Sequence, residues 1–300
     1  MFGRTFAIAE ILLRGHIGNP FWWPRMRRRA YRRDITAIVI PEYMKKYVPQ
    51  NGTIPVLQTI KNKDEKIFSI WQQGVENAPP IVRACFDSMQ RNCNQELLVL
   101  TDKTLSDYID LPGVIMDKRK QGKIGNAHFS DICRVELLYN YGGIWMDGTN
   151  FATGPVPTDI MNLDFFVYMA DDSGSRYSFI QNCFIRARKN SYLLAAWREM
   201  ILEFWKNEPR EFDYFMHQLM FKSLVKYDAE AKKLFNNMPH IMQEPTHRLW
   251  AKYAGKPFDA DEFTKITGDA FFQKVTYRGR DATNPVPGSF SDYLINMGNK

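Results

Sequence analysis

The feature that most constrains this chain is an alternation. Between residues 65 and 151, short apolar runs are separated by stretches whose apolar residues recur at helical spacing. "KIFSIW" at 66–71 is nearly continuous in apolar residues, as a strand covered on both faces requires. "PPIVRACFDSMQRN" follows, with proline at its start and a helical pattern behind it. "ELLVLTD" predicts the next strand, then come the apolar pentapeptide "GVIMD", a helix over "GNAHFSDICRVELLYNY" and a strand in "GGIWMD". This β-α-β-α-β order predicts an α/β fold with a mostly parallel central sheet and flanking helices. Right-handed crossovers bring the carboxyl ends of such strands to one edge, where ligands bind. "DFFVYMA" and "FIQNCFIRA" predict further strands around the polar loop "DDSGSRYS". "SYLLAAWREMILEFWK" and "DYFMHQLMFKSLVKY" read as amphipathic helices.

The strand in "GGIWMDGTNF" ends on a single carboxylate, Asp147, and position 149 is threonine. Gly142 and Gly143 read as a helix C-cap and a tight turn into the strand. A buried, uncompensated carboxylate costs several kcal/mol, so Asp147 must meet something cationic. An oxygen-ligated divalent ion carrying a diphosphate is one such partner, and a salt bridge to Lys or Arg is the other. Asp131 and Arg134 are three apart on the preceding helix and so share a face. They form either a local ion pair or part of the cleft that Asp147 enters. If they are ligand contacts, removing Arg134 weakens binding at little cost in stability.

"SDICRVELLYNYGGIWMDGTNF" resembles the donor-binding core of the GT-A glycosyltransferases of family 32, in particular the bacterial capsular polysaccharide synthesis branch. "FSIWQQGVENAPPIVRACFDSM" is similar to the first strand and helix of that fold, and the similarity spans roughly residues 65 to 190. The resemblance implies a GT-A domain over residues 61–300 that binds a nucleotide-sugar donor. It places Trp71 against the nucleotide base, Asp131 and Arg134 on the ribose or base and the diphosphate, and Trp145 beside the nucleotide. Asp147 matches the first acid of the metal-binding Asp-x-Asp, with Mn²⁺ or Mg²⁺ as the implied ion. Thr149 departs from that motif and leaves its second contact weaker or water-mediated. Asn182 lies where such folds present an amide to the donor sugar or acceptor, although a strand asparagine satisfied by backbone has the same sequence signature. Asp213 either binds sugar hydroxyls or caps the helix after it. His217 reads as a core histidine, whereas His240, His247 and Lys274 could close over the diphosphate.

The chain carries a formal net charge of +7 and a pI near 9.1, which favours acidic partners. Much of the excess is an amino-terminal cluster, Arg25, Arg27, Arg28, Arg29, Arg32 and Arg33, beside Trp22 and Trp23. Residues 1–60 therefore read as a basic helical segment that is either a solvated face, an element for an anionic membrane surface, or a contact for nucleic acid. Nucleic acid is the least expected of these partners. Cys85, Cys93, Cys133 and Cys183 form no C-x-x-C pair and have no histidine at zinc-finger spacing, so a reduced, cytoplasmic protein is expected. "FAIAEILL" contains Glu10 and is too short to span a bilayer. The expected activity is transfer of a hexose, glucose or galactose, from a UDP-sugar to a hydroxyl of a lipid-linked or growing surface glycan. Metal assistance, retention of configuration and a place at the inner membrane face are expected with it. The rivals are a nucleotide-sugar-binding protein without turnover, and a basic membrane- or nucleic-acid-binding protein for which the α/β body is scaffold.

Overall fold

The computed structural model describes residues 25–50, 52–60, 64–170 and 178–297. Trp22, Trp23 and most of the loop "DDSGSRYS" lie outside these residues, as do the side chains of residues 25–32.

A five-stranded sheet in the order β2-β1-β3-β6-β5 forms the centre, with β1 at Ile67–Ile70, β2 at Leu97–Leu100, β3 at Gly143–Met146, β5 at Phe165–Met169 and β6 at Ile180–Ala187. β1 runs parallel to β2 and β3, and β6 runs antiparallel to β3 and β5, so only β6 is reversed. This mixed but mostly parallel sheet, flanked by helices, is consistent with a GT-A-like fold. The reversal of β6 matters for the site, because it brings the start of β6 to the edge where β1 and β3 end.

Helix α2, Pro80–Asn92, starts on a proline, where the missing N–H costs nothing, and buries Ile81, Val82, Cys85, Phe86 and Met89. Helix α3, Asn126–Tyr141, lies between the sheet and helix α4, Tyr192–Asn207, and buries Asp131 and Arg134 along with its apolar residues. The pentapeptide "GVIMD" opens a helix, Gly113–Lys120. Helix α3 ends at Gly142, whose N–H bonds the Leu138 carbonyl at 2.8 Å. Gly142 and Gly143 have φ of 67° and 106°, and a Cβ there would lie 2.7 Å from Lys189 N and 2.6 Å from Lys66 O. Only glycine satisfies both demands, and the pair launches β3 between β1 and β6.

The amino-terminal helix α1, Arg25–Met44, buries Ala37, Ile40 and Met44, the last two within the main core. It packs against helix α5, Met216–Tyr227. Pro41 cannot donate to the Ala37 carbonyl, and Lys222 Nζ bonds that carbonyl instead at 3.3 Å. Ser223 Oγ donates to the Pro41 carbonyl at 2.8 Å. Beyond α1, the Glu208 carboxylate accepts from the Tyr43 and Tyr47 hydroxyls and from Lys46 Nζ at 2.8 Å. The carboxyl half of α1 is therefore packed into the body. Among the described residues no helix is long and apolar enough to cross a membrane.

A separate two-stranded ribbon pairs β4, Asn150–Ala152, with β7, Phe272–Lys274, in antiparallel register, with Asn150 opposite Lys274. It ties the carboxyl-terminal region to the residues that follow β3.

Candidate functional site

A cleft of about 650 Å³ opens at the edge where β1 and β3 end. Trp71 follows β1, Asp147 follows β3, and Asn182 lies near the start of β6. The register of β3 with β6 sets this meeting: Met146 faces Phe184, and the Asp147 N–H donates to the Cys183 carbonyl at 2.9 Å. Trp71, Asp131, Arg134, Trp145, Asp147 and Thr149 all line this cleft, as do Asn182 and Lys274.

Asp147 is the electrostatic centre. Its Oδ2 accepts from Lys274 Nζ at 2.7 Å, and its Oδ1 accepts from the Trp145 indole N–H at 2.8 Å, with Arg134 Nη2 at 3.3 Å. Lys274 Nζ also donates to Thr149 Oγ1 at 2.7 Å. Burial would raise the Asp147 pKa, but Lys274 and Arg134 outweigh it and hold the carboxyl below its usual range. Burial works against the Lys274 charge in turn, and Asp147 outweighs it, holding the ammonium above its ordinary value. Both groups are therefore charged at neutral pH.

Arg134 sits between two carboxylates, with Nη2 3.3 Å from Asp131 Oδ1 as well as from Asp147. Its Nη1 donates to the Asn182 carbonyl at 2.6 Å, and its guanidinium lies 4.8 Å from the Trp145 ring centre. Trp145 is only 1% exposed, so its ring is floor to the cleft and is already covered by Arg134. Asn182 Nδ2 donates to Asp131 Oδ1 and faces His217 Nδ1, each at 3.0 Å, while Asn182 Oδ1 accepts from Gln218 Nε2 at 3.1 Å. The Asn182 amide is thus engaged by side chains, and not by backbone as the alternative reading had it, on a residue that does line the cleft.

Burial opposes the charge on Asp131, and the Arg134 guanidinium beside it outweighs burial and holds the carboxyl below its usual range. Burial pushes His217 down to about 3, which leaves its imidazole neutral against Trp197, 4.0 Å between ring centres. With His217 neutral, the charge of Asp131 rests on Arg134 and on the Asn182 amide.

The divalent-ion expectation meets a different arrangement. Both oxygens of Asp147 are engaged by N–H donors, and the Thr149 hydroxyl faces the same ammonium. Among the described residues no group of three or more His, Cys, Asp or Glu could hold a metal ion. This donor set does not fit a hard divalent cation, which takes oxygen ligands free of competing cations.

Other expectations separate. Asp213 is not among the lining residues, and its carboxylate accepts from the Phe215 N–H at 2.9 Å, in the turn before α5. His240 Nε2 lies 3.1 Å from the Phe235 carbonyl, and His247 Nε2 lies 3.0 Å from Gln181 Nε2; neither histidine lines the cleft. Sequence reasoning missed Gln218, Tyr214, Tyr277 and Arg278, which do line it. Tyr277 meets Trp71 edge to face at 5.5 Å. "KVTYRGR" offered a cation–aromatic cluster as its signal, but nothing local said which strand it joins.

The cleft can hold an anion. Its lining cations are Arg134, Lys274 and Arg278, and its lining carboxylates are Asp131 and Asp147. Among the described residues no partner is found for the buried Trp71 Nε1, Arg134 Nε and Gln218 Oε1, all on cleft-lining residues. Unsatisfied buried polar atoms are uncommon and point to a missing ligand or solvent partner.

A family model described as capsular polysaccharide synthesis protein matches residues 24–294. Among curated proteins, an O-glycosyltransferase of Annulohypoxylon truncatum is 23% identical over 180 residues, which cover 52% of this chain and 41% of that protein. An O-glycosyltransferase of Phomopsis amygdali is 23% identical over 163 residues, covering 48% and 39%. A glycosyltransferase of Aspergillus fumigatus is 26% identical over 160 residues, covering 46% and 40%. The matched segment thus spans about two fifths of the length of each of these relatives.

Proposed function

The chain belongs to the capsular polysaccharide synthesis protein family, and from that premise we propose that it is a glycosyltransferase whose donor is a nucleoside diphosphate sugar held in the cleft at the end of β1 and β3. The observation that carries this reading is the convergence of an aromatic wall, Trp71 and Tyr277, with the charged row Arg134, Asp147 and Lys274 in one cleft. A nucleotide base needs a flat apolar partner, and a diphosphate needs fixed cations. The relatives named as glycosyltransferases support the same class of reaction.

In the proposed reaction the bond from the anomeric carbon to the β-phosphate oxygen breaks, and its electron pair leaves on the diphosphate. The acceptor hydroxyl oxygen bonds the anomeric carbon, and its proton passes to the departing diphosphate. The residues' task is to stabilise charge that develops on the leaving group, and Arg134 and Lys274 are positioned donors for it. Asp131 and Asp147 are both engaged in ion pairs, so neither is assigned as a nucleophile. Family resemblance supports retention of configuration and a UDP-linked glucose or galactose. A lipid-linked or growing surface glycan is the proposed acceptor, and the basic amino-terminal helix would hold the enzyme to an anionic membrane at the cytoplasmic face.

The test is a thermal-shift panel of UDP-, GDP- and CMP-sugars with the full chain, followed by donor hydrolysis without acceptor. A ligand that binds only the folded state raises the melting temperature. One class of donor should do so and be hydrolysed slowly. Binding without hydrolysis would favour a protein that has lost turnover, and no shift from any donor would remove the reading.

A further inference from the structure

We propose that Lys274 supplies the positive charge that faces the donor diphosphate in this cleft, in the position where a divalent ion was expected, and that donor binding here needs no metal. The inference rests on the glycosyltransferase reading and deepens it.

The geometry is specific. One ammonium bridges Asp147 Oδ2 and Thr149 Oγ1, at 2.7 Å from each, and these are the two side chains expected to hold the ion. Its place is fixed by backbone pairing: Asn150 lies opposite Lys274 in the β4–β7 ribbon, and the Val275 N–H donates to the Thr149 carbonyl at 2.9 Å. The ribbon fixes where the lysine's side chain starts, and the bonds to Asp147 and Thr149 hold its ammonium. An ammonium has three donors. Two are spent on Asp147 and Thr149, and its side chain remains 21% exposed at the cleft, so the third can meet a phosphate oxygen.

The charge count explains threonine at position 149. Two carboxylates around a divalent ion are neutral together, and so are one carboxylate and one ammonium. Replacing the second acid by a hydroxyl and the ion by Lys274 therefore conserves the local balance. It also removes the acid that would otherwise overcompensate a single ammonium. The ammonium is then a built-in counterpart to the leaving diphosphate, and Arg134 on the other oxygen of Asp147 is its neighbour.

The experiment measures binding of UDP and UMP, with GDP and GMP in parallel, to the full chain by calorimetry in EDTA and then with added Mn²⁺. The diphosphate should bind wild type equally in both conditions. Lys274→Ala should lower diphosphate affinity about tenfold or more, the scale of one lost charge-assisted bond, while sparing the monophosphate. A merely structural lysine would lower both alike. Lys274→Ala combined with Thr149→Asp should recover diphosphate binding only when Mn²⁺ is present. Wild-type diphosphate affinity that collapses in EDTA and returns with Mn²⁺ overturns the inference, and that arm needs no variant to fold. Unchanged diphosphate affinity in Lys274→Ala overturns it too. If neither nucleotide pair binds under any condition, the donor-cleft reading itself fails and the inference goes with it.

Discussion

Arg134 is held between two carboxylates, and this changes what its removal should do. As a ligand contact on an open wall it would be separable from stability, which was the expectation from sequence. It is 5% exposed, pairs with Asp131 and Asp147, and donates to the Asn182 carbonyl. Removing one partner of a buried pair costs about 3–5 kcal/mol, so Arg134→Ala should destabilise the fold by that order as well as abolish nucleotide binding. Arg134→Lys keeps the charge but loses the planar fork, and should fold while binding UDP more weakly. Urea unfolding of both variants checks this, and an Arg134→Ala protein as stable as wild type would contradict the placement. Gly148 gives a second prediction at this scale. A Cβ there would lie 2.8 Å from Phe86 Cζ and 3.5 Å from Trp71 Cε3, and the Phe86 ring is buried with little room to retreat. Gly148→Ala should cost about 1–3 kcal/mol by overpacking and should weaken UDP binding through Trp71. Unaltered melting temperature and affinity together would show that the wall is more compliant than this.

Elements explain why some of this was legible and some was not. β1, β2 and β3 were readable because each is a short apolar run bounded by turn residues, and the sheet edge they share follows from connection handedness. β4 and β7 were not, since each has three residues and they pair across more than a hundred positions of chain. That ribbon decides what Asp147 meets. The sequence required a cation for a carboxylate at the end of a buried strand, but only the ribbon register selects Lys274. His217 was legible as a core histidine and Asn182 as a site residue, whereas their pairing was not, because the reversal of β6 that aligns them is a tertiary fact. Helix α1 gives a prediction at this scale. Its described buried positions begin at Thr36 and Ala37, while Arg33 and Asp34 are exposed. Deleting residues 1–34 should leave UDP binding near wild type, since Trp71, Arg134, Asp147 and Lys274 reach the cleft from other elements. It should reduce sedimentation with anionic vesicles, since clustered Lys and Arg contribute about 1 kcal/mol each at such a surface. Vesicle binding that survives the deletion would remove the membrane role, and a competing oligonucleotide across a salt series would show whether nucleic acid takes its place.

At the scale of the whole molecule, one polar network beneath the cleft joins α3, β3, β6 and α5, so its protonation should be felt as global stability. His217 is 2% exposed, stacks on Trp197, and faces the Asn182 amide through Nδ1, an arrangement that suits the neutral ring. Burial lowers its pKa to about 3, against roughly 6.5 in an unfolded chain. Between those values the unfolded state binds the proton that the folded state refuses, so stability is full above about pH 6.5 and falls as pH drops toward 3. One proton sets a limiting slope of about 1.4 kcal/mol per pH unit. Asp131, held below the usual carboxylate range in the fold, adds a loss of the same sign at lower pH, as it is protonated and Arg134 loses a partner. Urea unfolding at about pH 7 and about pH 5 should therefore show a clear decline for wild type. His217→Gln keeps a group able to bond the Asn182 amide and removes the titration, so it should be less stable at pH 7 but flatter between the two values. UDP affinity of the folded protein should hold steady over the same window in wild type and variant alike, because folded His217 stays neutral there and its bond to the Asn182 amide is kept. A wild-type protein equally stable at both pH values, or a decline that persists in His217→Gln, would show that this histidine is not what couples the cleft to the fold.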